Sequence, residues 1–293
     1  MMKKNSGYTL VELMIALVLG LIIVLVAVQM LLSGQRSLAF QTAMLNVQDN
    51  ANIGLNYIVT DLKHTNLNLI NRDMTNTGIS GLIVDNSNYP EHIKNNRKLS
   101  DSNAADSLAK EKSDVLVIQY KPTLAKGYDC EGNEIDSTDK TIVQRYFLRK
   151  DKNGESHDLA LVCDAGRYSA SSTNTGLSNN DDEAGQIIMQ RVDQFKVLVG
   201  VQNFVTSEFS YMTLSDFADI EAPENEKIRA VSLQVGILAR SLDNAGTDTV
   251  EKLNYTLLNS PQEIEKLKTM RTKYIRVPVE QTVAFRNGIG DRL

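Results

Sequence analysis

The sequence lacks the short motifs that mark the common catalytic sites. Its 293 residues contain no HExxH, no GxSxG, no GxxxxGKS or GxxxxGKT, and no GxGxxG between a strand and a helix. Histidine is scarce, and His64, His92 and His157 stand apart in polar surroundings. We therefore interpret all three as surface side chains, and we expect no enzymatic activity, no cofactor and no small-molecule substrate. A catalytic triad assembled in space stays open.

Cysteine and proline are few. The two cysteines, Cys130 and Cys163, form no CxxC pair and have no metal-type Cys/His spacing, so zinc and redox sites are not indicated. We expect no metal site. The five prolines begin at Pro90, so the chain before it is free of the strongest helix breaker.

Charge is almost absent from a long apolar run near the N-terminus. Between residues 8 and 35 the only charged side chain is Glu12. A helix needs about 20 apolar residues to cross a bilayer, so the segment from Leu10 to Leu32 is a predicted transmembrane helix. Lys3 and Lys4 precede it and predict a cytoplasmic N-terminus and an exported C-terminal part.

A cleaved secretory signal peptide is the alternative interpretation, with cleavage near Ser33 and Gly34. Three features disfavour it. A signal peptide gains nothing from Glu12, Leu32 stands where a small residue is required, and the apolar run exceeds the usual length of about 7 to 15 residues. We therefore expect the mature protein to keep this helix.

Placing the charged side chain of Glu12 at the start of an apolar helix costs insertion free energy. A charged side chain in the bilayer core costs on the order of 2.5 to 3.5 kcal/mol on insertion scales. Two interpretations stay open: the carboxylate snorkels to the nearby interface, or it pairs with a cation from a neighbouring subunit. The α-amino group created by cleavage ahead of Tyr8 would be such a cation.

The stretch from Gly7 to Leu13 (GYTLVEL) follows a short basic leader and opens a long apolar helix. It resembles the class III signal of type IV pilins and type II secretion pseudopilins. In that family prepilin peptidase cuts after the glycine and N-methylates the new first residue, and the glutamate five places into the mature chain is needed for assembly. The resemblance implies cleavage between Gly7 and Tyr8, N-methylation of Tyr8 and an assembly role for Glu12. Tyr8 departs from the usual phenylalanine, at a site that tolerates other side chains.

Three later stretches resemble the large PilW-type minor pilins of type IV pili, and they also leave the J-type pseudopilin of type II secretion open. They are 113–120 (SDVLVIQY), 228–241 (IRAVSLQVGILARS) and 274–287 (YIRVPVEQTVAFRN). The resemblance implies a bacterial inner-membrane protein with a periplasmic C-terminus, which after assembly lies at the pilus tip and cell surface. The implied partners are prepilin peptidase, other minor pilins, the major pilin and the inner-membrane assembly platform. The implied role is priming of pilus assembly in support of twitching motility, adhesion or DNA uptake in natural transformation.

Beyond the membrane segment, apolar residues recur at steps of three and four, which places them on one face of an amphipathic helix. They are Met44, Val47, Ala51, Leu55, Ile58 and Leu62. We expect one helix from Tyr8 to about Thr65, roughly 85 Å long. The predicted organisation is a leader over 1–7, a transmembrane or filament-core helix over 8–34, its amphipathic continuation over 35–70, and a β-rich head over 71–293.

Six stretches rich in Val, Ile, Tyr and Phe predict strands in the head. They are 115–120, 142–149, 159–163, 192–201, 231–239 and 275–285, with a further short strand at 82–84. Residues 150–154 (KDKNG) supply hairpin chemistry between two of these strands, and Pro278 favours an edge position or a kink for the last. The predicted fold class is α+β and type IV pilin-like, with the long N-terminal helix packed on a largely antiparallel β-sheet head.

Residues 164–185 are low in apolar side chains and predict a mobile surface loop. Its acidic triplet lacks the EF-hand spacing of a calcium loop, so a solvated loop is the default interpretation. The triplet is Asp181, Asp182 and Glu183. Because the head is predicted to face the oxidising periplasm, we expect a disulfide between Cys130 and Cys163, with two separate buried thiols as the alternative.

One basic cluster lies near the C-terminus and is a candidate DNA-contact patch. Its members are Lys266, Lys268, Arg271, Lys273 and Arg276. Nearby glutamates and the lack of an aromatic stacking series favour a solvated, salt-bridged face instead. The formal charge is −5, and removal of Lys3 and Lys4 with the leader brings it to −5 − 2 = −7, so no global field favours nucleic acid.

Two hypotheses of different classes therefore remain. In the first, the chain is an assembly subunit that acts through helix packing in the membrane and side contacts between heads. In the second, the head is a tip adhesin or DNA receptor and the helix is mainly an anchor.

Overall fold

The computed structural model describes residues 7–71, 73–179, 184–221, 227–242, 252–265 and 274–288. Its helices are α1 (Leu10–Leu62) and α2 (Leu214–Ala218), with a 3-10 turn at Asn86–Asn88. Its strands are β1 (Asp101–Ala105), β2 (Ser113–Tyr120), β3 (Thr141–Lys150), β4 (Leu159–Tyr168), β5 (Gln186–Gln190), β6 (Val192–Asn203), β7 (Phe209–Thr213), β8 (Ile228–Arg240), β9 (Asn254–Leu257), β10 (Ser260–Glu263) and β11 (Arg276–Ala284).

α1 is one continuous helix of 53 residues, about 80 Å long. This confirms the prediction that the apolar and amphipathic segments form a single helix, since neither Gly20 nor Gly34 interrupts it. α1 ends at Leu62, a little before the predicted end at Thr65. The chain then turns, and Asn66 adopts a left-handed conformation with φ of 66°, which a continuing helix does not allow.

The second half of α1 packs on the head through one face. Its buried residues are Ala43, Val47, Ala51, Gly54, Leu55, Ile58 and Leu62. This is the predicted stripe, except that Ala43 is buried and Met44 only half-buried. At Gly54 the helix approaches β5 so closely that a Cβ would lie 3.1 Å from the Cβ of Met189. A small residue at this position therefore sets the distance between helix and sheet.

Two antiparallel sheets form the head, in the orders β1-β2-β3-β4-β5 and β11-β8-β6-β7, and β9 pairs with β10 as a hairpin. Every strand pair among the described residues is antiparallel, as predicted. β11 is an edge strand, so the prediction from Pro278 is confirmed. The main core lies between the two sheets and α1, which contacts β5, β8 and β11.

Near the C-terminus, the chain is fastened to the end of α1. Asn287 donates from Nδ2 to the main-chain oxygens of Lys63 and Thr65, both at 3.1 Å. Asn66 donates in turn to the oxygen of Asn287 at 3.0 Å. These bonds satisfy carbonyls that the end of a helix otherwise leaves without a partner.

Buried charges join the β3–β4 turn to the second sheet. Arg240 lies 2.7 Å from Asp158 and 2.9 Å from Asp193, and Arg276 lies 2.6 Å from Asp193. The side chains of Arg240, Asp193 and Arg276 are fully buried. Removing one partner of such a pair leaves an uncompensated buried charge, at a cost of about 3 to 5 kcal/mol.

The surface loop predicted over 164–185 begins later than expected: residues 164–168 are the end of β4, whereas 169–179 lie outside the named strands and include exposed residues such as Ala170 and Ser171. β4 continues to Tyr168 because β3 pairs with it along its whole length. Asp164 is buried 2.7 Å from Arg145, and Leu177 is also buried. A polar composition misled the prediction because these polar groups are paired inside the head. The acidic triplet interpreted as part of a solvated loop lies outside the described residues: Asp181, Asp182 and Glu183.

Candidate functional site

The peptide bond between Gly7 and Tyr8 lies ahead of the first helix. Residues 7–9 have no helical structure, α1 begins at Leu10, and Tyr8 is 92% exposed. Proteases cut exposed, non-helical backbone far more readily than packed elements. The geometry therefore leaves the predicted cleavage site accessible.

Thr9 and Glu12 form a capping box at the start of α1. The Glu12 amide donates to Oγ1 of Thr9 at 3.3 Å, and the Glu12 carboxylate accepts from the amide and the hydroxyl of Thr9, both at 2.9 Å. The box satisfies amides that the first turn leaves free, and it places a negative charge at the positive end of the helix dipole. The Thr-x-x-Glu spacing is the sequence signature of this box. It gives Glu12 a local role that neither sequence-based interpretation included.

The capping box bears on the cost of Glu12 in lipid. Two donors of the same chain meet its carboxylate, and a hydrogen-bonded charge costs less to remove from water than a bare one. Gly7 and Tyr8 thus directly precede α1, and Glu12 lies in its first turn. The remaining predicted site residues lie elsewhere in the chain.

The first part of α1 is exposed along its whole length. Every residue from Leu10 to Thr42 is exposed, with Leu10 at 75% and Ile23 at 69%. α1 is long and apolar enough to cross a membrane, and this exposed part extends about 50 Å. Contiguous exposed apolar surface of this extent marks a contact with lipid or protein.

Cys130 and Cys163 form a disulfide, with their Cα atoms 6.0 Å apart. Both side chains are buried, and no described cysteine is free. The predicted pairing is therefore confirmed, and the alternative of two separate thiols is wrong. The hydroxyl of Tyr57 donates to the main-chain oxygen of Cys130 at 3.4 Å, which links the disulfide to α1.

The candidate DNA-contact patch lies almost entirely outside the described residues. This holds for Lys266, Lys268, Arg271 and Lys273. Arg276 is described and is buried in its ion pair with Asp193. A guanidinium held inside the head does not reach a phosphate at the surface, so the inclusion of Arg276 in the patch is corrected.

The histidines occupy three different environments. His64 is exposed, and Nε2 of the half-buried His92 lies 3.1 Å from the main-chain oxygen of Ser169. His157 is buried, so the prediction of a surface side chain is wrong there. Burial and the charge of Arg240 lower the pKa of His157. Within the described ranges no group of three or more His, Cys, Asp or Glu residues is arranged to hold a metal.

Two sequence families match the chain. The prokaryotic N-terminal methylation motif matches residues 2–28, and Type IV Pilus-assembly protein W matches residues 145–287, from β3 to the end of the second sheet. No curated protein matches the chain. Among solved structures, a type IV-like pilin from Thermus thermophilus is similar over 82% of this chain and 96% of that chain, with 13% identity and a TM-score of 0.41. The assignment to a family therefore rests on the two sequence matches.

Proposed function

The chain belongs to the PilW-type minor pilins of the type IV pilus, and on that premise we propose that it helps to prime pilus assembly at the pilus tip together with other minor pilins. The family consists of structural pilus components, and its N-terminal motif is that of a prepilin peptidase substrate. The match to a pilus-assembly family favours this role over the J-type role in secretion.

One observation carries the proposal. The exposed apolar part of α1, Leu10 to Thr42, contains Glu12 near its start and ends where the helix begins to pack on the head. A membrane accounts for the apolar surface before assembly, and neighbouring pilin helices account for it in the filament. The fold thus presents one surface that suits both environments.

The order of the proposed assembly steps follows from the start of α1 and the residues that precede it. Prepilin peptidase cuts between Gly7 and Tyr8 on the cytoplasmic side and N-methylates Tyr8. The assembly platform then brings the helix beside the helices of other minor pilins and the major pilin. There, Glu12 pairs with the N-terminal amine of an adjacent subunit, which offsets the cost of a charge in the apolar filament core. The resulting pili support motility, adhesion or DNA uptake.

The test separates the charge of Glu12 from its capping role. Glu12→Gln keeps an oxygen that accepts from the Thr9 amide but removes the charge, whereas Thr9→Val removes the capping hydroxyl and keeps the charge. In cells that lack the native gene, we expect Glu12→Gln and Glu12→Leu to abolish pili and Thr9→Val to retain them. Electron microscopy counts the pili, and fractionation verifies that each variant is processed and membrane-bound. Normal piliation with Glu12→Gln would refute the pairing.

Processing is tested by Gly7→Ala. We expect an uncut precursor in the inner membrane, because the residue before the cut is replaced, while the native chain is cut to a mature form that begins at Tyr8. N-terminal sequencing reads this directly. A mature chain that begins near Gln35 instead would show that the helix is discarded, and the proposal would fail.

A further inference from the structure

A cleft lies at the C-terminal end of α1, beside the loop that carries Cys130. Its lining includes Asp61, His64, Tyr120, Leu124, Lys126 and Tyr128. Three independent features of this cleft favour a positively charged group.

The first feature is the carboxylate of Asp61. It accepts a hydrogen bond from the hydroxyl of Tyr146 at 2.8 Å, and no lysine or arginine among the described residues forms an ion pair with it. Its neighbour Asp129, by contrast, is paired with Arg167 at 2.7 Å. Burial raises the pKa of Asp61, the hydrogen bond from Tyr146 and the charge of His64 partly offset that rise, and the charge of Asp129 adds to it. A cation placed beside Asp61 relieves this unfavourable charge.

The second feature is the helix end itself. The C-terminus of a helix carries a partial negative charge, and basic side chains are favoured in its last turn. α1 has no basic residue in that turn and has Asp61 there instead. The dipole and the carboxylate therefore add potentials of the same sign at the cleft.

The third feature is aromatic. The ring of Tyr120 lies 5.5 Å from that of His64, and Tyr128 stands at the rim, 71% exposed. Tyrosine ring faces attract ammonium and guanidinium groups. Leu124, 68% exposed at the same rim, offers apolar contact to the aliphatic stem of a long side chain.

We propose that this cleft binds a lysine or arginine side chain of a neighbouring pilus subunit. The inference rests on the proposed function, which supplies that neighbour. On α1, Ile53 and Leu45 are exposed and lie, by helical spacing, opposite the stripe that packs on the head, so they offer a separate apolar contact to a neighbouring helix. At the cleft, Asp61 supplies the charged group.

Two basic side chains of the chain line the cleft, Lys126 and His64. Lys126 is exposed, so its ammonium stays hydrated, and no ion pair joins it to Asp61. His64 is also exposed. A variant without the lysine, Lys126→Ala, is therefore expected to bind a basic ligand as well as the native chain does, or better.

The test uses the full chain in non-ionic detergent micelles and a matched pair of probes. N-acetyl-arginine amide carries the guanidinium, and N-acetyl-citrulline amide is its uncharged isostere. Saturation-transfer NMR titrations are expected to show saturable binding of the arginine probe and at least fivefold weaker binding of the citrulline probe. Equal binding of the two probes by the native chain would overturn the inference, and that comparison needs no variant.

Variants then locate the binding. Asp61→Asn keeps an oxygen for the Tyr146 hydroxyl, and it is expected to weaken arginine binding at least fivefold without lowering the thermal midpoint at pH 7, since a desolvated charge is removed. Tyr128→Ala, at an exposed rim position, is expected to weaken it as well. Asp136→Asn is the control, because Asp136 is exposed and lies 3.0 Å from Lys140. A loss with the control as large as that with Asp61→Asn would place the binding elsewhere.

The source of the basic side chain is tested in piliated cells. A photo-crosslinker at position 128 is expected to join a pilin-family subunit at a peptide that contains lysine or arginine. Cross-links only to proteins of other families would refute the claim that the partner is a pilus subunit. Whether the cleft binds a basic group at all is decided by the probe titrations. The outcome is independent of the Glu12 variants: loss of pili with Glu12→Gln, together with equal binding of the two probes, would reject this site and keep the assembly role.

Discussion

Single residues in the head hold charges and polar groups away from water, and His157 is a buried histidine among them. Its ring lies 3.6 Å from Glu155 and 3.8 Å from Asp158, within the group of buried charges that includes Arg240. The nearby carboxylate of Glu155 raises the pKa of His157, but burial and Arg240 lower it more. His157 is therefore neutral in the folded head at pH 7.

This predicts a loss of stability on mild acidification. The folded pKa lies below the ordinary value of 6.5, so the unfolded chain binds the proton more readily. The stability that neutral His157 gives the fold is fully present above the unfolded pKa of 6.5. It declines as the pH falls from that value through the lowered folded pKa. We expect the thermal midpoint of the native chain to fall more than that of His157→Gln between pH 7.5 and 5.5.

At the scale of elements, α1 has two halves with opposite surroundings, and its sequence predicts both. An apolar run beyond Gly7 and a three-and-four spacing beyond Gly34 are strong periodic signals. The six predicted strands were found for the same reason, because each has an apolar face against the core. Local sequence patterns therefore predict α1, which carries Glu12, and most of the sheet on which α1 packs.

Sequence reasoning missed β1, β5, β7, β9, β10 and α2, and for β1, β7 and the end of β4 the reason is the lack of such a signal. β1 (DSNAA) is an exposed, polar edge strand, formed because β2 offers an unpaired edge. β7 is mostly exposed and pairs only with β6. β4 extends beyond its apolar part because β3 continues beside it. β1, β7 and the extension of β4 form because a neighbouring strand, outside the segment itself, offers a partner. A local sequence pattern does not contain that information. The cleft around Asp61 is likewise assembled from segments far apart in sequence.

The packed half of α1 predicts a contrast between two neighbouring positions. Leu55 is fully buried, whereas Ile53 is exposed. We expect Leu55→Ala to lower the free energy of unfolding by about 2 to 5 kcal/mol and Ile53→Ala to change it by about 0.5 kcal/mol or less. Urea titrations of the detergent-solubilised chain, followed by tyrosine fluorescence, measure both, since the protein has 10 tyrosines and no tryptophan. Equal losses would contradict the assigned face.

At the scale of the whole molecule, the head depends on links between segments that the sheets alone do not join. The disulfide closes a sequence separation of 33 residues and ties the loop beside α1 to β4. The ion pairs of Asp158 and Asp193 tie the β3–β4 turn to β8 and β11. These links hold the first sheet, the second sheet and the helix as one unit.

Loss of the disulfide is therefore expected to weaken the whole head. In the chain-entropy model a closed loop of this size stabilises a fold by about 3 to 4 kcal/mol. The free energy of unfolding of the double variant Cys130→Ala/Cys163→Ala should be lower than that of the native chain by this amount, so the variant should unfold at a lower urea concentration. Adding a thiol reductant should lower the native midpoint toward that of the variant and leave the variant itself unchanged. If full reduction left the urea midpoint of the native chain unchanged, the disulfide would add no stability to the head.

Asn287 and its bonds to Lys63 and Thr65 impose an order on biogenesis. The residues they join are separated by as many as 224 positions, and the helix leaves the ribosome first. The carbonyls of Lys63 and Thr65 therefore acquire these donors only after Asn287 has been synthesised. A chain whose translation stops ahead of Asn287 lacks both bonds, so we expect the end of α1 to fray more readily and to be more open to proteolysis.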